Sequence, residues 1–277
     1  MADRRSLIGR MRYAVRAARA AATRPQESAE YALERVSEWR DERRQPWPYE
    51  TTEASEERVH GLIGCRWPCD ERAGFDDVWK AALERLAARG LSVGRLAFGR
   101  WDDGDSRLCR LAWCLTRHLH PEHVVETGVG RGLTTCVLLE ALAHNGAGHL
   151  WSIDLPPFRR GDSQETAAAV PTRLYERWTF LRGSSRRLLP RLVSDLGQID
   201  VFVHDSMHTS RNMRFELEQV WPALGNGVAL VEDVEKNGAT GQFLQGHPEA
   251  RAVISTAADG GVLIGCLAGG DGAVARE

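Results

Sequence analysis

Past Pro121 the sequence alternates short β-branched runs with helix-length amphipathic segments, and this alternation restricts the fold more than any other feature. The runs are 123–126, 150–154, 178–181, 199–204 and 228–232, with helical patterns near 133–144, 185–196 and 210–224 between them. Strands joined through helices run parallel, because a crossover returns the chain to the same edge of the sheet. Runs that are apolar throughout also indicate strands covered on both faces. The tail breaks the pattern: Arg251 to Thr256 and Val262 to Leu267 flank Asp259-Gly260-Gly261, a hairpin signal. The expected fold class is therefore α/β, a parallel sheet closed by a C-terminal antiparallel hairpin, with helices on both faces.

The chain before that region reads as mostly helical. Seven arginines and one acid lie between Met1 and Arg24, interleaved with Leu7, Ile8, Met11 and Val15, which suits a basic amphipathic helix stopped by Pro25. Such a helix serves as a packed arm, as a partner contact, or as a peripheral contact with an anionic membrane. A second helical pattern covers about 26–44, with Tyr31, Leu33, Val36 and Trp39 spaced as an apolar stripe; residues 46–75 read as an ordered loop or lid; further helices are expected near 76–89 and 105–119. The organisation this predicts is a helical cap over 1–104 and a larger α/β domain over 105–277. The cap is expected to shape specificity or to make homo-oligomer contacts.

Composition removes several function classes. Among 277 residues, 36 Lys+Arg against 38 Asp+Glu leave a net charge of -2, which offers no global attraction for nucleic acid. No apolar run is long enough for an integral membrane segment and no secretory signal opens the chain, so a cytoplasmic protein is expected. The six cysteines are scattered through a chain large enough to build a core without disulfides. Cys65 and Cys69 are separated by three residues with no second Cys/His pair at finger-like spacing, so no zinc site is expected there.

Directly after the first parallel strand comes Glu126-Thr127-Gly128-Val129-Gly130-Arg131-Gly132-Leu133-Thr134-Thr135, leading into a helix. Glycines allow close backbone approach and left-handed turns, and a helix N-terminus presents unpaired N–H groups. Gly-x-Gly-x-Gly alone is a weak signal. An acid two residues before it and a second acid, Asp154, ending the next strand narrow the reading. Asp154 suits ribose hydroxyls, whereas Glu126 would repel a pyrophosphate and disfavours a nicotinamide dinucleotide. In these residues the chain resembles the class I S-adenosylmethionine-dependent methyltransferases, over about 105–277. The resemblance implies a Rossmann-like seven-stranded methyltransferase sheet. It assigns S-adenosyl-L-methionine to Glu126, Gly128, Gly130, Gly132, Thr134, Asp154 and Asp205, with the adenine near Ser184, where many relatives carry an acid.

The fourth and fifth parallel strands end in Asp205-Ser206-Met207-His208 and Glu232-Asp233. Neighbouring parallel strands deliver their C-terminal ends to one crevice, so these carboxylates should converge. Crowded carboxylates repel, and a hard divalent cation with oxygen ligands relieves them, Mg²⁺ best of all. An imidazole three residues past Asp205 can take a proton from an alcohol. The pattern resembles the metal-dependent sugar and macrolide O-methyltransferases of bacterial natural-product biosynthesis. That resemblance makes Asp205, Glu232 and Asp233 the metal ligands, His208 the base, and a hydroxyl of a sugar or glycosylated metabolite the acceptor. Metal-independent methylation of nitrogen or oxygen on the same fold, and a cofactor-binding scaffold without turnover, stay open.

Overall fold

The computed structural model describes residues 22–23, 25–94, 106–155, 165–256 and 263–269. The expected basic helix at 1–24 lies largely outside these residues, and the hairpin turn at 259–261 lies outside them. In chain order the elements are helix α1 (Pro25–Asp41), strand β1 (Thr51–Thr52), helices α2 (Ser55–Leu62), α3 (Arg72–Ala88) and α4 (Ser106–Leu119), then β2 (His123–Thr127), α5 (Leu133–Asn145) and β3 (His149–Asp154). They continue with β4 (Trp178–Arg182), α6 (Ser185–Leu196), β5 (Val201–His204), α7 (Ser210–Leu224), β6 (Val228–Val231), α8 (Ala239–Gly246), β7 (Arg251–Ser255) and β8 (Gly265–Ala268).

The strands form one sheet in the order β1-β7-β8-β6-β5-β2-β3-β4. β4, β3, β2, β5 and β6 run parallel, while β8 pairs antiparallel with both β6 and β7. The seven strands expected are present, and the order reverses on either side of β2. Central strands are buried along their length, as β5 and β6 show at every residue, so their Val, Leu and Phe side chains pack helices on both faces. One core layer gathers Val124, Leu150, Val203 and Leu230 with α4 and α5; the other gathers Val125, Phe202, Ala229 and Val231 with α6, α7 and α8. Each fully buried aliphatic side chain contributes about 1.5–3 kcal/mol, so the two layers carry most of the stability.

Two expectations fail in instructive ways. Residues 46–75 are not a loop or lid: they hold β1 and α2, and α3 begins at Arg72. β1 adds an eighth strand by pairing parallel with β7, Thr51 opposite Ile254. Trp47 seats on α8, where a Cβ on Gly241 would come within 2.1 Å of its ring, and Gly241 N donates to Tyr49 Oη at 3.1 Å. Prolines and glycines at irregular spacing concealed elements this short.

The apolar stripe of α1 does not face the core either. Leu33, Val36 and Trp39 are 51%, 47% and 54% exposed, whereas Glu34, Ser37 and Asp41 are buried. The helix docks by its acids. Asp41 accepts from Ser210 N at 2.7 Å through Oδ2 and from Ser210 Oγ at 2.7 Å through Oδ1, while Glu34 takes Thr209 Oγ1 and Arg211. Anionic side chains at the start of α7 meet unpaired N–H groups and the positive end of the helix dipole.

Candidate active site

The sheet register builds the site. Thr127 is opposite Ile153 on one side and His204 on the other, and His204 is opposite Val231. One residue further along each strand lie Gly128, Asp154, Asp205 and Glu232, so the C-terminal edge of four adjacent strands presents a glycine turn and three carboxyls in one row. Asp205 N donates to Thr127 O at 2.9 Å and Glu232 N to His204 O at 3.1 Å, which continues the ladder to these residues.

The turn after β2 takes left-handed conformations at Gly128, Gly130 and Gly132 (φ 89°, 50° and 81°). Gly128 is dictated by the site itself, since a Cβ there would sit 1.9 Å from Asp205 O. Asp154 Oδ2 accepts from Gly130 N at 3.2 Å. Ala167 N donates to Gly130 O at 3.0 Å and Arg131 pairs with Glu165 at 2.7 Å, so the 165–170 segment braces the turn. Glu126 is fully buried; Thr135 Oγ1 and Ser152 Oγ donate to its Oε2 at 2.8 and 2.6 Å, and its Oε1 has no hydrogen-bond partner among the described residues. Thr134 faces α4, its hydroxyl 3.5 Å from Cys109 Sγ. Ser184 caps α6 by accepting from Arg186 N at 3.1 Å.

His208 stands among the carboxyls. Its Nδ1 is 2.6 Å from Asp233 Oδ2, and its Nε2 is 3.8 Å from Asp205 Oδ1 and 3.9 Å from Glu232 Oε2. One ligand atom from each of Asp205, His208 and Glu232 lies within 4.8 Å of the others, a spacing that can hold a metal ion. Asp233 joins the cluster through the far side of the imidazole, and its Oδ1 is buried without a hydrogen-bond partner among the described residues. Its backbone is left-handed (φ 56°, ψ 36°), which turns the chain sharply after β6 and brings its carboxylate to the ring. Aspartate tolerates that conformation better than most residues. Asn237 Nδ2 donates to His208 O at 3.3 Å and Lys236 Nζ lies 4.0 Å from Asp233.

Charge is uncompensated along this edge. Burial pushes Glu126 up to about 8, aided by repulsion from Asp154. Burial raises Asp154 to about 6 against the backbone N–H groups that lower it. Asp205 rises to about 7, through burial and then the charges of Glu126, Asp233 and Asp154, and Glu232 rises well above the carboxylate range through burial and Asp205. Burial opposes protonation of His208, but its contact with Asp233 outweighs burial and raises it; the same contact outweighs burial at Asp233 and lowers that carboxyl. An edge this rich in raised carboxyls favours a cationic, donor-rich ligand over a phosphate.

Behind the site lies a buried network that the sequence did not disclose. Glu216 of α7 accepts from Thr127 Oγ1 at 2.6 Å, Asn212 Nδ2 at 2.9 Å and Ser206 Oγ at 3.1 Å, and lies 2.6 Å from His204 Nδ1. Burial would raise Glu216, yet the His204 charge and the donors overcome it and hold it down to about 2. In sequence Glu216 is one acid among several on an amphipathic helix; only its helical phase, shared with Met213 and Val220, marks an inward position.

A family described as a methyltransferase domain matches residues 125–233, the stretch from β2 through the Glu232-Asp233 pair. This stretch of the chain is thus similar to a methyltransferase domain. Among solved structures, the O-methyltransferase TomG from Streptomyces achromogenes, involved in tomaymycin synthesis and solved with SAM, is similar at 16% identity and a TM-score of 0.50, over 70% of this chain and 90% of that one. An O-methyltransferase from Bacillus cereus, solved with SAH, is similar at 14% identity and a TM-score of 0.51, over 78% and 97%. At these identities the likeness is one of fold. No curated protein matches the chain. The matched stretch spans the glycine turn, Asp154, Ser184 and all four residues of the acid–histidine cluster. No helix among the described residues is long and apolar enough to cross a membrane.

Proposed function

We propose that the protein is an S-adenosylmethionine-dependent O-methyltransferase that acts on a hydroxyl of a sugar or glycosylated small molecule, assisted by a divalent cation with Mg²⁺ the best fit. The observation that carries this reading is the cluster of Asp205, His208 and Glu232 beside the glycine turn, with Asp233 holding the far side of the imidazole. O-methyltransferases of similar fold, solved with SAM or SAH, support the reaction type.

The residues at the turn fit such a cofactor. Glu126 has a buried oxygen, without a partner among the described residues, for an ammonium group, Asp154 a carboxylate for ribose hydroxyls, and the raised carboxyls of the edge favour a cation. Gly128, Gly130 and Gly132 keep side chains out of the turn. When bound, S-adenosylmethionine supplies an electrophilic methyl group on a sulfonium. Asp205 and Glu232 are the oxygens that would hold the cation, which would acidify a bound hydroxyl, whereas Asp233, expected from the sequence as a third ligand, sits on the far side of the His208 ring. Asp233 accepts from His208 Nδ1–H, so the lone pair of the neutral ring lies on Nε2, on the side of Asp205 and Glu232, where an acceptor hydroxyl would lose its proton.

His208→Ala should lower turnover by about 100-fold or more, while titration calorimetry still shows S-adenosylmethionine binding. Turnover retained in this variant would remove His208 as base. EDTA should suppress activity and added Mg²⁺ restore it; undiminished activity in EDTA would favour cation-independent transfer. Adenosylmethionine binding with no adenosylhomocysteine formed across a broad acceptor panel would favour a scaffold.

A further inference from the structure

The opposite edge of the sheet holds a second cluster of metal-ligating side chains. His60 lies in the last turn of α2, Cys69 in the loop that follows, and Cys114 and His118 one helical turn apart on a single face of α4. One ligand atom from each of His60, Cys69 and His118 falls within 4.8 Å of the others. Cys69 Sγ is 3.5 Å from His118 Nε2 and 3.2 Å from Cys114 Sγ. The His60 and His118 rings meet edge-on with centroids 5.2 Å apart, and Trp67 covers His60 at 5.0 Å.

Hydrogen bonding fixes the His60 tautomer. Its Nδ1 lies 2.7 Å from Glu56 O, and a carbonyl can only accept, so Nδ1 carries the hydrogen and Nε2 the lone pair. That Nε2 is buried with no hydrogen-bond partner among the described residues, in a residue 1% exposed. A buried acceptor left without a donor is disfavoured, and a bound cation relieves it. Carbonyl support at one nitrogen with the other left bare is the arrangement of metal-bound histidines.

We propose that His60, Cys69 and His118 form a zinc site, separate from the methyl-transfer centre, that ties α2 and its following loop to α4. Two imidazoles and a thiolate suit Zn²⁺ and give Mg²⁺ nothing it prefers. With Zn–S near 2.3 Å and Zn–N near 2.05 Å, a tetrahedron has an S–N edge of about 3.5 Å, which the Cys69–His118 pair already shows. Binding releases the Cys69 thiol proton, and Cys114 is placed to donate its S–H to the ligated sulfur. The spacing of Cys65 and Cys69 gave no sign of this, because the partners come from two other elements.

The test uses the full chain, purified under reducing conditions and titrated with Co²⁺ and then Zn²⁺. The carboxylate cluster contains no sulfur, so a thiolate-to-cobalt charge-transfer band reports only a cysteine site. One equivalent of Co²⁺ should produce it, Zn²⁺ should abolish it, and bound Zn²⁺ should raise the melting temperature by at least about 3 °C. Cys69→Ser should erase the band, His118→Gln should weaken Co²⁺ binding by about 100-fold or more, and His208→Ala should leave the band intact, with circular dichroism confirming the fold of each. No band in the folded protein, or a band that survives Cys69→Ser, would overturn the site. Should Cys69→Ser fail to fold, His118→Gln decides alone, and undiminished affinity in it refutes the proposal.

Discussion

At the scale of single residues, the site depends on positions whose role comes from backbone and burial as much as from chemistry. Gly128→Ala would drive a Cβ to 1.9 Å from Asp205 O and displace the strand end that carries the acid. We expect it to destabilise the fold by about 2 kcal/mol and to abolish S-adenosylmethionine binding by calorimetry. Glu216 supplies the pH test. Its folded carboxyl is held at about 2 against an ordinary 4.5, so its contribution is fully present above the unfolded value and is lost as pH falls toward the folded one. Melting temperature should therefore drop between about pH 5 and pH 3. Glu216→Gln should cost about 3 kcal/mol at neutral pH, since it strands His204 in the interior, and should flatten that acid-side slope. An unchanged slope would show that other carboxyls carry it. The residues visible in the sequence were those whose chemistry and place at a strand end coincide: Glu126, Asp154, Asp205, His208, Glu232 and Asp233. Glu216 escaped because a polar residue buried by tertiary packing looks, in sequence, like any solvated one.

At the scale of elements, regular patterns were legible and exceptions to binary patterning were not. The parallel strands and the helices between them follow from β-branched runs and helical periodicity, which tertiary contacts reinforce. α1 inverts the rule, with its apolar stripe exposed and its acids docked at the start of α7. Asp41→Ala should consequently destabilise by about 1–2 kcal/mol, as loss of a helix-capping acceptor does, whereas Leu33→Ser should lie within about 0.5 kcal/mol of the parent. Urea denaturation of the two variants distinguishes this docking from a conventional apolar one, for which the order of effects would reverse. β1 could not be read because two residues carry no periodicity; it forms because Trp47 and Tyr49 anchor on α8 and hold the following residues against β7.

At the scale of the whole molecule, sheet topology converts separated motifs into a working edge. The order reversal at β2 opens a crevice where ligands of such folds bind, and register brings Gly128, Asp154, Asp205 and Glu232 into one row. The segment before residue 105 adds β1 to the same sheet and packs α1 on the start of α7 through Thr209 and Ser210. The central claim is cation-assisted methyl transfer to a hydroxyl at this edge, and it is tested most directly by mass spectrometry with methyl-labelled S-adenosylmethionine and a panel of sugars and glycosides, with Mg²⁺ or EDTA. We predict label on an acceptor oxygen only when the cation is present. Equal labelling in EDTA, or label found solely on nitrogen, would contradict the account.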